Sequence, residues 1–249
     1  MSSERVAIVT GASSGIGAAT VRALAKEGFT VIATARREDR LKRLAAEVSG
    51  VEAFVADITV QSDVDALAKY CAGRSIEVLV HSAGGAFDSA TVLESDPEIW
   101  KKTYDLNVVA TVRVTKAITP LMLKKGHIVV ISSTAGHRAY ENGGSYVAAK
   151  FAETSLAHTL RLELNGQPIR ITEIAPGMVK TDEFALNRFN GDVTKAAKVY
   201  EGVAQPLTAE DVAESIRWSV TLPDHFNVDS MVIRPVAQAA NHKVYRQPL

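Results

Sequence analysis

Tyr146 and Lys150 are four residues apart, a spacing that sets both side chains on one face of a helix. A phenol with an ordinary pKa of about 10 is a poor base at neutral pH, and a nearby ammonium favours its phenolate. Such a tyrosine can exchange a proton with a substrate oxygen while hydride moves to or from a nicotinamide. Thirteen residues before Tyr146 stands Ser133, in Ile131-Ser132-Ser133-Thr134-Ala135-Gly136 at the end of an apolar run. A hydroxyl at the C-terminal end of a strand can hold the reacting carbonyl or alcohol oxygen.

Hydride chemistry of this kind needs a nucleotide site, and the chain offers one near its start. After a first apolar run comes Thr10-Gly11-Ala12-Ser13-Ser14-Gly15-Ile16-Gly17, then an amphipathic stretch to about Glu27. Glycines let the backbone turn tightly against a pyrophosphate, and the following helix presents unpaired N–H groups and the positive end of its dipole. Where an NAD-binding protein ends its second strand in Asp or Glu, this chain has Ala35, followed by Arg36 and Arg37. A guanidinium pairs with a 2′-phosphate that a carboxylate would repel, so NADP is the expected cofactor, with Arg36 the expected reader of its phosphate. Arg36 could also stack on adenine, and the Ser13 hydroxyl could reach the phosphate. Asp57, with Ile58 beside it, ends the third strand. Its carboxylate either accepts from the adenine amino group or caps the next helix.

The elements that must carry these residues are visible as apolar, β-branched runs at 5–10, 30–35, 51–56, 76–80, 127–132, 169–174 and 230–233, with helical periodicity between most of them. Strands so uniformly apolar suit a parallel sheet covered by helices on both faces. A single-domain α/β Rossmann fold over 1–249 is expected, with a doubly wound seven-stranded parallel sheet. Ser95-Asp96-Pro97-Glu98 should open a helix, and Asn165-Gly166 should close the long one that begins near Gly144. The segment 180–205 is richer in polar residues, lies just past a strand end, and is expected to be a substrate lid.

Composition narrows the function classes. The chain has 249 residues, 47% hydrophobic and 22% charged, enough for a sizeable core. Lys plus Arg and Asp plus Glu are 28 each, so no global basic field exists for nucleic acid or anionic lipid. The N-terminal apolar run is too short for a signal peptide or membrane span, which implies a cytoplasmic protein. Cys71 is the single cysteine, which excludes an intramolecular disulfide and a cysteine metal cluster; no metal is expected.

Taken together, these residues resemble the short-chain dehydrogenase/reductase family over essentially the whole chain. The resemblance implies that Tyr146 is the acid/base, Ser133 the anchor of the substrate oxygen, and Lys150 a ribose ligand and activator of Tyr146. It implies that Asn107, in Leu106-Asn107-Val108-Val109, holds a water linking Lys150 to bulk solvent. The family's Asn-Ala-Gly segment corresponds to Ser82-Ala83-Gly84, beside the nicotinamide ribose. Pro176-Gly177-Met178-Val179-Lys180-Thr181 matches the segment after the sixth strand, with Thr181 near the nicotinamide or diphosphate. One departure is His81, where the family has a first Asn; a histidine at a strand end is expected to be structural.

A narrower resemblance, to the NADP-dependent 3-hydroxy acid dehydrogenase branch, rests on segments from Arg188-Phe189-Asn190-Gly191-Asp192 to the tail Tyr245-Arg246-Gln247. It implies serine, allo-threonine, 3-hydroxypropionate or malonic semialdehyde as substrate. Such acids need a cation for the carboxylate, and Arg138, Lys180 and Arg188 are the candidates. His137-Arg138 departs from that branch. A homotetramer or homodimer is implied, with helices around 101–116 and 146–164 as contacts. Two other readings stand beside it: an NADPH-dependent reductase of another ketone or aldehyde, and a non-catalytic NADP-sensing scaffold.

Overall fold

Val6–Thr10 (β1) reads Val-Ala-Ile-Val-Thr and is buried at every position. Because successive side chains point to opposite faces, a strand apolar throughout must be covered on both. Ala7 and Val9 join one apolar layer, with Val21 and Leu24 of Gly15–Lys26 (α1), Leu41 of Glu38–Glu47 (α2) and Val212 and Ile216 of Ala209–Thr221 (α9). Val6 and Ile8 join the other, with Leu67 of Gln61–Cys71 (α3), Val114 of Ala110–Ile118 (α5) and Ala157 of Gly144–Glu163 (α6). Each fully buried Leu or Ile in these layers contributes about 1.5–3 kcal/mol.

The structure, a computed structural model, describes residues 4–122, 125–181 and 183–247. Its parallel sheet also contains Thr30–Ala35 (β2), Val51–Val55 (β3), Ile76–His81 (β4), Gly126–Ile131 (β5), Ile169–Pro176 (β6) and Ser230–Ile233 (β7), in the order β3-β2-β1-β4-β5-β6-β7. The chain winds outward from β1 to β3 and then returns to place β4 against β1. A crevice therefore opens beyond the C-terminal ends of those two strands. The seven expected strands are all present in one single-domain Rossmann fold. Their ends shift by a residue or two: β5 stops at Ile131, so Ser132 and Ser133 stand beyond the strand.

The expected long helix around 101–116 is instead three pieces, Pro97–Tyr104 (α4), a π-helical turn Asp105–Val109, and α5. Asp96 caps α4 by accepting from the Glu98 N–H at 2.9 Å. The break at Asn107 follows from its side chain, whose Nδ2 donates to the Thr103 carbonyl four residues back at 2.7 Å. Beyond β6 the chain leaves the sheet and returns, carrying Phe184–Arg188 (α7) and Val193–Lys198 (α8). Lys180 N–H to Leu207 O at 2.7 Å and Leu207 N–H to Met178 O at 3.0 Å close the base of this excursion. A small antiparallel pair, Gln238–Ala240 (β8) and Lys243–Val244 (β9), follows β7 and was not among the expected strands. Among the described residues no helix is long and apolar enough to cross a membrane.

Candidate active site

The crevice holds a cavity of about 680 Å³ whose floor is the loop from Gly11 to Gly17. Gly11 has φ +67°, and a Cβ there would lie 2.7 Å from the Ala83 Cα. Only glycine lets the loop pass this close to the end of β4. Thr10 Oγ1 accepts from the N–H groups of Ser82 and Ala83, each at 3.2 Å, and so ties the two strand ends together. Ser14 occupies the N-cap of α1 but makes no capping bond of its own, which leaves the leading amides of that helix to an anion.

At the end of β2 the two arginines part. Arg36 is 69% exposed, with its guanidinium 3.8 Å from Asp57. Arg37 turns inward: Nε and Nη2 donate to Ser13 Oγ at 3.0 and 2.8 Å, Nη2 to Ser14 Oγ at 2.8 Å, and Nη1 to Glu183 Oε1 at 2.5 Å. Asp57 Oδ1 accepts from the N–H and hydroxyl of Thr59, at 3.0 and 2.7 Å, in a local turn. Helix α3 begins after Val60, so Asp57 does not cap it, and its remaining oxygen is the one beside Arg36.

Tyr146 and Lys150 lie on the inner face of α6, 7% and 4% exposed, and both line the cavity. Lys150 Nζ sits 5.6 Å from the centre of the Tyr146 ring. It donates to Ile131 O at 2.9 Å and pairs with Glu153 Oε2 at 2.6 Å. Burial works against the ammonium, but Glu153 and the other facing acids outweigh it and raise Lys150 above its usual value. Burial raises Glu153 to about 7 despite that neighbour. Ser133, also in the wall, accepts from Ala135 N–H at 3.1 Å and donates to Pro176 O at 3.3 Å.

Asn107 is completely buried, and its side chain is spent on Gly85: Oδ1 accepts from the N–H at 3.1 Å and Nδ2 donates to the carbonyl at 3.0 Å. A Cβ on Gly84 would lie 2.6 Å from that Oδ1 and 3.5 Å from Lys150 Nζ. Asn107 thus stands behind the wall and shapes the Gly84-Gly85 segment against Lys150. Ile58, Ser82, Ala83, Gly84, Pro176, Gly177, Val179 and Thr181 line the same cavity.

Residues 5–190 match a family model described as short chain dehydrogenase. The chain belongs to the short-chain dehydrogenase family. An uncharacterized oxidoreductase of Mycobacterium tuberculosis is 48% identical, covering 99% of this chain and 97% of that one. A serine 3-dehydrogenase of Agrobacterium fabrum is 38% identical over 96% of this chain and 98% of its own. A solved structure, the closed form of serine dehydrogenase complexed with NADP+, superposes with a TM-score of 0.89 at 35% identity, covering 97% of this chain and 100% of that chain.

As a short-chain dehydrogenase the chain is an oxidoreductase, and the non-catalytic scaffold is set aside. The dehydrogenase's His81 is buried, with Nε2 2.8 Å from Thr115 Oγ1 and burial pushing it down to about 3. A ring that stays neutral and bonded to a helix behind the sheet is structural. Of the three cations considered for a substrate carboxylate, Arg138 and Lys180 are exposed outside the cavity, whereas Arg188 lines it. Arg188 donates from Nη1 to Tyr140 Oη at 3.3 Å and from Nη2 to Asn142 O at 2.9 Å. Its Nε is buried with no partner among the described residues.

Several residues of this dehydrogenase's cavity were not among the expected site residues: Tyr140, Glu183, Phe184, Tyr200, Gln238 and Arg246. Phe184 meets Tyr146 edge to face, with ring centres 5.4 Å apart. Gln238 Oε1 accepts from Met178 N–H at 2.7 Å, so the β8 segment closes over the Pro176-Gly177 turn. Tyr140 lies in the segment between β5 and α6, and the sequence signal for the others is only that they fall in the excursion or after β7.

Proposed function

We propose that this dehydrogenase oxidises the hydroxyl of a small 3-hydroxy acid such as serine, allo-threonine or 3-hydroxypropionate, with NADP as its cofactor. The bound cofactor supplies the nicotinamide that accepts or returns the hydride. The residues present suit it: uncapped amides at the start of α1 for the pyrophosphate, and Arg37 with Ser13 and Ser14 for a 2′-phosphate. Asp57 and Arg36 flank the adenine side, and Thr181, Val179 and the Ser82–Gly84 segment the nicotinamide side.

Within that arrangement Ser133 holds the substrate oxygen and Tyr146 takes its proton. Lys150 places its ammonium where charge develops as the proton moves, and would reach a ribose hydroxyl. Asn107 keeps the peptides beside Lys150 in position and would order the water that returns the proton to solvent. The excursion 180–205 forms a lid, with Phe184 excluding water from Tyr146.

The observation that carries the substrate reading is Arg188, the one of the three candidate cations that lines the cavity holding Tyr146 and Ser133. A carboxylate is the ligand that a cavity-lining guanidinium pairs with most strongly. The names of the serine dehydrogenase relatives agree with it. The test is turnover of L-serine, L-allo-threonine and 3-hydroxypropionate with NADP+; failure of all three alongside NADPH-dependent reduction of an apolar ketone would overturn it. A second reading, reduction of a bulkier ketone or aldehyde, is favoured by the aromatic wall of Phe87, Tyr140, Phe184 and Tyr200. We also infer that α5 and α6, which expose Val112, Phe151 and Leu162, form the contact between copies of a homotetramer or homodimer; light scattering that shows a monomer would exclude it.

A further inference from the structure

Glu183 sits immediately before α7, yet its carboxylate reaches back to the opposite end of the cavity. Oε2 accepts from Ser14 Oγ at 2.8 Å, and Oε1 accepts from Arg37 Nη1 at 2.5 Å and from Arg40 Nη1. Arg37 in turn donates to Ser13 Oγ and Ser14 Oγ. Two guanidinium groups and the hydroxyl of a nucleotide-loop serine thus surround one oxyanion, supplied by the protein itself, at the end of the second strand.

We propose that Glu183 is an internal stand-in for the cofactor's 2′-phosphate: it holds Arg37, Arg40 and Ser14 in the free enzyme and must yield them when the phosphate arrives. This rests on NADP being the cofactor. The donors that hold Glu183 are those a phosphate would recruit. They are finite: each Arg37 N–H now spent on the carboxylate or on Ser13 is unavailable to a second acceptor. A phosphate monoester carries about −1.5 to −2 charge and three acceptor oxygens, so it outcompetes a monoanion, and the displaced carboxylate then lies next to a like charge. Burial alone would raise the Glu183 carboxyl, but its bonds from Arg37, Ser14 and Arg40 hold it at about 2. The rival is therefore fully ionised wherever the enzyme works.

The displacement has a mechanical consequence, because Glu183 is the residue from which α7 starts. Phe184 and Arg188, on either end of that helix, touch Tyr146 and Tyr140. While Glu183 is bonded to the nucleotide loop, the lid is fastened at the cofactor end; its release frees α7 to settle on substrate. Arg40, which the sequence reading did not include, becomes a residue that sets cofactor choice.

The experiment compares Glu183→Gln with wild type by fluorescence titration of NADPH and NADH. Loss of the carboxylate charge should tighten NADPH about tenfold, in the usual range for coupled sites, and leave NADH within about twofold. Weaker or unchanged NADPH binding in Glu183→Gln would show that Glu183 orients Arg37 rather than opposing the phosphate. In the wild-type protein, adenosine 2′,5′-bisphosphate should accelerate hydrogen exchange in 184–198, whereas adenosine 5′-phosphate should not. Equal exchange with both nucleotides overturns the lid coupling without any variant. Wild type that binds NADH as tightly as NADPH would instead sink the cofactor reading underneath.

Discussion

Lys150 Nζ lies 2.6 Å from Glu153 Oε2, with both side chains almost wholly buried, so the ammonium beside Tyr146 is held from behind by a carboxylate one turn further along α6. Two charges removed from water are tolerated only as a pair, and removing one partner of such a pair costs about 3–5 kcal/mol. Glu153→Leu should therefore lower stability by that order in urea denaturation, and Glu153→Gln by clearly less. Equal and small losses for both would mean that the pair is not coupled.

The same carboxylate sets a pH dependence. Burial raises Glu153 from 4.5 to about 7, so between those values the native state binds more protons than the unfolded chain, and this group makes stability fall as pH rises. Glu183 acts oppositely. Its bonds hold it at about 2, so its contribution is complete above 4.5 and is lost as pH falls toward 2. His81 and His127, pushed from 6.5 to about 3 by burial, favour the native state as pH rises between those values and overlap the Glu153 window. The expected result is read as a difference: thermal midpoints of Glu153→Gln minus wild type should rise between pH 4.5 and 7, and Glu183→Gln should flatten the curve only below 4.5.

Tyr146→Phe keeps the ring against Phe184 and removes only the hydroxyl. General acid–base groups contribute about 10²–10⁴ in rate, so kcat should fall by that order with nucleotide affinity nearly unchanged. Turnover within about threefold of wild type would remove Tyr146 from the chemistry.

The parts of this site that were legible in the sequence are those set by local pattern. Runs such as Val6–Thr10 announce a doubly covered strand, and the glycines of Gly11 through Gly17 a turn in which Gly11 and Gly17 leave no room for a side chain. Tyr146 and Lys150 share a helical face by spacing alone. What stayed hidden depends on partners distant in sequence. Nothing near Glu183 points to Arg37, 146 residues away, and nothing near Glu153 shows that its carboxylate turns inward. The π-helical turn at Asn107 accompanies a buried side chain that bonds Thr103, four residues back, and also Gly85, in a loop distant in sequence. The expectation that Arg36 reads the phosphate is corrected for a similar reason: adjacent side chains leave a strand end in different directions, and the packed loop brings Arg37, not Arg36, to Ser13.

That ordering makes a prediction about cofactor choice. Arg37 is bonded to both loop serines, while Arg36 lies 69% exposed beside Asp57. Charge-assisted bonds are worth about 1.5–3 kcal/mol. Arg37→Ala should therefore weaken NADPH about 10–100-fold relative to NADH, and Arg36→Ala by less than about fivefold. The reverse ranking in paired titrations would move the phosphate to the outer arginine.

Arg188 provides the corresponding test at the substrate end. Its Nη1 and Nη2 are held by two neutral groups, Tyr140 and Asn142, so a substrate carboxylate would bring it a charged partner. Losing a hydrogen bond to a charged group costs about 1.5–3 kcal/mol, which corresponds to a rise in KM of about 10–100-fold. Arg188→Leu should show that rise for 3-hydroxypropionate, with kcat much less affected, because the contact is made equally before and during hydride transfer. An uncharged ketone of similar size should be indifferent to the change. If both substrates suffer equally, Arg188 supports the lid and some other group receives the carboxylate.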